Sequence, residues 1–263
     1  MYPETKFKTI ALRHEDEIAH VALNRSKVQN AFNDVLIREL TECFTQLTEE
    51  DNIKIIVLTG EGQTFCSGAD LNWMKKMAHY TRGENLSDSK KLAEMYYTID
   101  RCPKPVVGRI NGSAFGGGVG LVAVCDIAIA SIEAQFAFSE VKLGIVPAVI
   151  STYLIPKIGP SNARALFLTG ERFGAERALR IGLVHEICPP EELDSKIDEK
   201  LKILKSSAPK ASIKIKQLIR NWFYMEFEEF RNHTIELIAD LRASREGKEG
   251  ISAFLERRKP VWR

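Results

Sequence analysis

A run of small residues between two apolar stretches constrains this chain more than any other feature. Residues 105–110 and 121–124 are largely apolar, and between them stands Asn111-Gly112-Ser113-Ala114-Phe115-Gly116-Gly117-Gly118-Val119-Gly120. Glycine weakens regular structure and serves where backbone turns sharply or comes close to another group. A strand entering such a stretch and a helix leaving it would turn unpaired N–H groups outward, a place able to hold negative charge. Two nucleotide-binding patterns fail on spacing. Counted from Gly116, the third glycine of G-x-G-x-x-G falls at Leu121; counted from Gly118, it falls at Ala123. Gly112 and Gly117 are followed by Gly118-Val119, which lacks the Lys-Ser/Thr of a phosphate loop. The nucleophile pattern G-x-S-x-G is absent too, because Ser113 directly follows Gly112. The plainer alternative is that the glycines only let a helix pack closely on a strand.

A second stretch of the same kind shifts that balance. Thr64-Phe65-Cys66-Ser67-Gly68-Ala69-Asp70 follows a β-branched run at residues 53–58 and opens a helical pattern at residues 71–77. Two helix N-termini converging on one oxygen form an oxyanion hole, in which one donor is worth on the order of 3 kcal/mol to a reaction. Cys66 has no histidine nearby to activate it and reads as an inert thiol.

The remaining order of elements sets the fold class. Residues 7–12 and 18–23 alternate as a β-hairpin, and Asn33 caps a helix carrying Val35, Leu36, Leu40, Phe44 and Leu47. Residues 79–86 are polar and read as mobile, and residues 87–101 form an amphipathic helix. Strands follow at 106–110, 126–130 and 134–138, then an irregular stretch at 139–149. Helical patterns at 153–158, 163–168 and 176–181 lead to a strand at 183–187, and Pro189-Pro190 opens a run of helices. Strands recur after helices, yet several come in β–β pairs. That order predicts an α/β coil of ββα units over residues 1–188, followed by a helical region at 189–263.

Composition excludes several classes of function. A formal net charge of +2 over 263 residues is too small to argue for nucleic acid or a membrane surface. No apolar run reaches the roughly 18 residues that would span a bilayer. The first residues are polar and lack a secretory leader pattern. Cys43, Cys66, Cys102, Cys125 and Cys188 are scattered and odd in number, which points to reduced thiols and a cytoplasmic location. Neither these cysteines nor the five histidines show metal-ligand spacing, so no metal is expected.

The two loops carry a family resemblance. Phe65 to Leu71 resembles the F-x-x-G-x-D-[LI] loop of the crotonase (enoyl-CoA hydratase/isomerase) superfamily, and Asn111 to Gly118 resembles its second loop. The likeness continues through residues 125–130, Phe136, residues 139–145, 168–170, 178–184 and 253–258. It implies a crotonase-type spiral with a helical C-terminal trimerisation region, and a coenzyme A thioester as substrate with no cofactor. It further implies that the N–H groups of Ala69 and Gly117 hold the thioester oxygen as an enolate, and that Glu140 is the acid–base residue. Arg25, Val28, Ala31, Ser67, Gly68, Asp70, Leu71, Gly116, Pro147 and Lys259 then become candidates for contacting substrate or coenzyme A.

For several of these a plainer reading stays open. Glu140 alone reads as a solvated carboxylate, Asp70 as a helix cap, and Arg25, Lys27, Arg257, Arg258 and Lys259 as a solvated charged face. Trp73, Met74 and Met77 form a stripe that is either core or acyl-pocket wall.

One departure matters. Hydratases of the family commonly carry a second glutamate, and its position is Gly120 here. Residues 70–77, 115–121 and 146–151 are similar to a bacterial subgroup of methylglutaconyl-CoA and carboxygeranoyl-CoA hydratases, in which either Glu140 would act with water alone or Gly120 would leave room for a bulkier substrate. Hydration of a 2-enoyl-CoA is the leading expectation. A Δ3–Δ2 enoyl-CoA isomerase and a non-catalytic acyl-CoA binder are the alternatives. Apolar stripes on the C-terminal helices, together with the family's habit, imply a homo-oligomer, a trimer or a pair of trimers.

Overall fold

The computed structural model describes residues 7–262; the polar start of the chain, residues 1–6, lies outside the described residues. Strands β1 (Ile10–Glu15) and β2 (Ile18–Leu23) form the antiparallel hairpin. Helix α1 (Asp34–Glu49) is capped by Asn33, whose side chain accepts the Leu36 N–H at 2.9 Å. Three ββα turns follow. The first contains β3 (Ile55–Gly60), β4 (Thr64–Cys66), and helices α2 (Leu71–Met77) and α3 (Arg82–Arg101). The second contains β5 (Val106–Ile110), β6 (Ser113–Phe115) and α4 (Gly117–Val124). The third contains β7 (Ile127–Ser131), β8 (Gln135–Ala137), a 3-10 turn at Ser139–Leu143, and α5 (Ala148–Thr169).

The leading strand of each turn enters one sheet and the short second strand enters another. With β9 (Arg172–Gly174), α6 (Ala175–Arg180) and β10 (Glu186–Cys188), the orders are β1-β2-β3-β5-β7-β10 and β4-β6-β8-β9. From β2 onward the larger sheet is parallel; in the smaller one only β9 runs antiparallel. Parallel strands covered on both faces need continuous apolar sequence, and β3 is buried along its whole length. Its alternate residues serve two cores. Ile56 and Leu58 join the main cluster, while Ile55 and Val57 pack with Leu193, Ile197 and Leu201 of α7 (Leu193–Lys205) on the other face. Helices α8 (Pro209–Trp222), α9 (Phe227–Ala243) and α10 (Arg245–Leu255) complete the chain.

Four expectations are corrected. The glycine stretch is not one loop: Ser113–Phe115 is a strand, and Gly117, Gly118 and Gly120 lie inside α4. Within residues 79–86 the helix already begins, because Thr81 and Glu84 form a reciprocal capping box that starts α3 at Arg82 and not at residue 87. The helical patterns at 153–158 and 163–168 belong to one element kinked at Gly159, whose φ of 76° is left-handed and which precedes Pro160. Strand β9 was not expected, and the last strand runs at Glu186–Cys188, later than residues 183–187.

Candidate active site

Pairing between β4 and β6 brings the two small-residue loops together. Thr64 faces Ser113 and Cys66 faces Ala114, so β4 holds one more residue than β6 between these partners. Beyond the strands the backbones nearly touch. A Cβ on Gly68 (φ +90°) would stand 2.9 Å from the Phe115 carbonyl oxygen, and one on Gly118 would stand 2.3 Å from that of Cys66. Side chains at these positions would drive the loops apart.

The first loop is stitched to the segment before α1. Phe32 N–H donates to Gly68 O at 2.6 Å, and Asp70 N–H donates to Phe32 O at 2.8 Å. The N–H of Ala69 lies between these two bonded peptides. Among the described residues it has no acceptor within the protein, and neither has the N–H of Gly117, the first of α4. Two free backbone donors therefore stand on adjoining loops.

Asp70 and Arg25 brace this arrangement. Asp70 caps α2 by accepting the N–H groups of Asn72 and Trp73, and it pairs with Arg25 at 2.8 Å. Arg25 also donates to Ala31 O. Burial alone would raise the Asp70 carboxyl, but the Arg25 guanidinium and the two helix N–H groups outweigh it and hold the group below its usual range. Arg25 thus has an inward task. Cys66 is fully buried, and desolvation pushes its thiol up to about 12, which leaves it inert at neutral pH.

Glu140 comes from the 3-10 turn of the third ββα unit and lies against Gly116. A Cβ on Gly116 would be 3.2 Å from Glu140 Oε1, and the left-handed Gly116 (φ 49°) keeps that face clear. Glu140 Oε2 is buried with no hydrogen-bond partner. Burial raises its carboxyl above the usual range, opposed by its own backbone N–H. A half-buried acid with a free oxygen, beside the residue preceding a free N–H donor, can move a proton next to a developing oxyanion.

The position of the expected second acid is closed. A Cβ on Gly120 would meet Ile150 Cγ2 at 2.4 Å and the Tyr96 ring at 2.9 Å. Gly120 therefore leaves no room for a bulkier substrate; its space is already filled. Tyr96 is fully buried, stands edge-on to Phe32, and donates its hydroxyl to Gly117 O at 2.7 Å. At the far end of α4, the buried ammonium of Lys157 donates to the carbonyls of Ala123 (3.1 Å) and Cys125 (2.9 Å), complementing the negative helix terminus.

Of the candidates read from the sequence, Ser67, Gly68, Ala69, Asp70, Leu71, Gly116, Gly117 and Glu140 converge, with Arg25 and Ala31 behind the first loop. Val28 and Leu71 expose apolar side chains, and Pro147 is buried where α5 begins. Lys259 is exposed in the C-terminal segment, and among the described residues no hydrogen bond or ion pair ties its side chain to either loop. Trp73 belongs to the main core, with Met77 packed against it. Tyr96 carried no sequence signal beyond apolar helical spacing, and Ile150 none beyond its place in the subgroup likeness of residues 146–151.

Comparison with known proteins agrees with the fold. Residues 13–263 match the family model described as Enoyl-CoA hydratase/isomerase. The chain is similar to an enoyl-CoA hydratase structure from Shewanella pealeana, with a TM-score of 0.94 and 37% identity over 98% of this chain and 97% of that one. It is 30% identical to a crotonyl-CoA hydratase of Syntrophomonas wolfei, over 96% of this chain and 97% of that protein. It is also 28% identical to a trans-2-decenoyl-[acyl-carrier-protein] isomerase of Streptococcus mutans, over 97% of both. With the spiral of ββα turns and the paired loops in place, the chain belongs to the enoyl-CoA hydratase/isomerase family of the crotonase superfamily.

Proposed function

We propose that this enzyme adds water across the 2,3 double bond of a 2-enoyl-CoA, with Glu140 as its one acid–base residue. The thioester oxygen sits on the N–H groups of Ala69 and Gly117. Glu140 takes a proton from water as the water oxygen bonds to C3, the π electrons move onto the thioester oxygen, and the enolate is held by the two donors. Collapse of the enolate returns that proton from Glu140 to C2. Both new bonds then form on the face presented to Glu140, so addition is syn. The observation that carries the reading is the buried, unpartnered Glu140 Oε2 beside Gly116.

A branched acyl chain of the methylglutaconyl type is proposed from the likeness of residues 70–77 and 146–151 to that subgroup. Loss of the enoyl-thioester absorbance with crotonyl-CoA and with 3-methylglutaconyl-CoA tests both levels. No hydration of either substrate would sink the proposal; preference for the straight chain would remove the branched specificity alone. The second reading, isomerisation of a 3-enoyl-CoA, is favoured by the closed space at Gly120. There Glu140 would carry a proton from C2 to C4, and solvent deuterium entering a 2-enoyl product would reveal it.

We also propose that the chain assembles as a homo-oligomer, a trimer or a pair of trimers. Helices α8 and α9 bury no residue in the isolated chain, yet they expose Ile219, Trp222, Phe227 and Ile235.

A further inference from the structure

The hydroxyl of Tyr96 donates to the carbonyl of the residue whose own N–H faces the substrate side. We propose that Tyr96 is a positioning residue that clamps the backbone turn carrying the Gly117 donor, an inference that rests on the enolate reading above. Gly117 must lack a side chain, because a Cβ there would stand 2.9 Å from the Tyr96 hydroxyl and 3.0 Å from the Phe32 ring. Absence of a side chain leaves its backbone looser than that of any other residue. The peptide that carries its N–H is held on one side, where the Val119 N–H donates to Gly116 O at 2.9 Å. The 2.7 Å bond from Tyr96 to Gly117 O restrains the next peptide, and the two together fix the backbone turn at Gly117.

The bond is strong because of where it lies. Tyr96 is fully buried in the middle of α3, and its ring is held between Phe32 (6.4 Å between centroids) and Tyr153 (6.1 Å). Water does not compete there, so the bond keeps its full directional preference. The hydroxyl proton lies on Gly117 O and Glu140 Oε2 has no partner, so Tyr96 acts through the peptide and not on the proton that Glu140 moves. The same ring closes the space beside Gly120. One side chain thus occupies the place of a second acid and aims the donor that the remaining acid works beside.

Tyr96→Phe removes the hydroxyl and keeps the ring. A misaimed hole donor should lower kcat by about tenfold to a hundredfold, between a slight misplacement and outright loss of a donor, with KM within about twofold. A merely structural role would not separate two four-carbon thioesters of which one places negative charge on the thioester oxygen and the other does not. Affinity for acetoacetyl-CoA, measured at mildly alkaline pH where its 1,3-dicarbonyl ionises to the enolate, should fall by the same factor as kcat, while affinity for saturated butyryl-CoA stays level and the thermal midpoint moves little. Unchanged kcat, or parallel losses for both thioesters, would overturn the proposal. If the wild-type protein turns over no enoyl-CoA, the functional reading fails on its own. The ratio of acetoacetyl-CoA to butyryl-CoA affinity in wild type and variant still decides the role of Tyr96, and equal ratios refute it.

Discussion

Two carboxylates at this site live under opposite physical conditions. Asp70 is charged by design of its neighbours: Arg25 and two helix N–H groups face it, and its folded pKa is depressed. Its contribution to stability is present above the unfolded value of about 3.9 and is lost as pH falls through the folded value. Arg25→Ala should destabilise the fold by about 3 kcal/mol or more, because it leaves Asp70 buried without its counter-charge; denaturant titration at neutral pH measures it. Glu140 has no such support. Its folded pKa is raised, so its contribution is full below the unfolded value of about 4.3 and lost as pH rises through the folded value. At neutral pH the ionised form opposes folding. Glu140→Gln should therefore lower kcat by about a hundredfold to ten-thousandfold while leaving the thermal midpoint equal or higher. In the wild type, hydration should fall as pH drops through a value above the ordinary glutamate range, a limb that a pH–rate profile would locate. Glu140 was legible only through the family pattern, since a lone acid in an irregular stretch carries no chemistry of its own. Tyr96 was not legible at all: its role comes from a contact across 21 positions of sequence.

At the scale of elements, α4 shows why the sequence misled. Three glycines in eight residues contradict helix propensity by about 1 kcal/mol each, so the stretch read as a loop. Packing overrides propensity here, because Gly118 and Gly120 sit where Cys66, Tyr96 and Ile150 press on the helix. Installing the second acid shows the same crowding. Gly120→Glu should lower the thermal midpoint and fail to raise hydration, since the new side chain meets Ile150 and the Tyr96 ring before it reaches the site. A stable variant with faster turnover would refute that account. The start of α3 was legible and passed over: Thr81 and Glu84 are a capping box in plain sequence, masked by Gly83 and the polar run around it. Strand β9 has three residues and owes its state to β8, so local sequence had little to say about it.

In the whole molecule the groups of the proposed site are distributed one to a turn: Ala69 after β4, Gly117 after β6, and Glu140 after β8. The repeating ββα order was visible in the succession of strands and helices, whereas the pairing that stacks β4, β6 and β8 was not. The C-terminal helices extend the same logic outward. Light scattering of the full chain should give the mass of a trimer or hexamer, and Trp222→Asp with Phe227→Asp should shift it toward the monomer; a monomeric wild type would refute the assembly. The extra residue of β4 opposite β6 carries a consequence for all of this. It works as a vernier, offsetting the first loop against the second by a fraction of a turn's spacing. Removing Phe65 would leave Ser67, Gly68 and Ala69 in the loop, yet draw one donor back along the strand. The hole is thus tuned by a count of residues as much as by their kind, and a loop of perfect chemistry but wrong length would hold nothing.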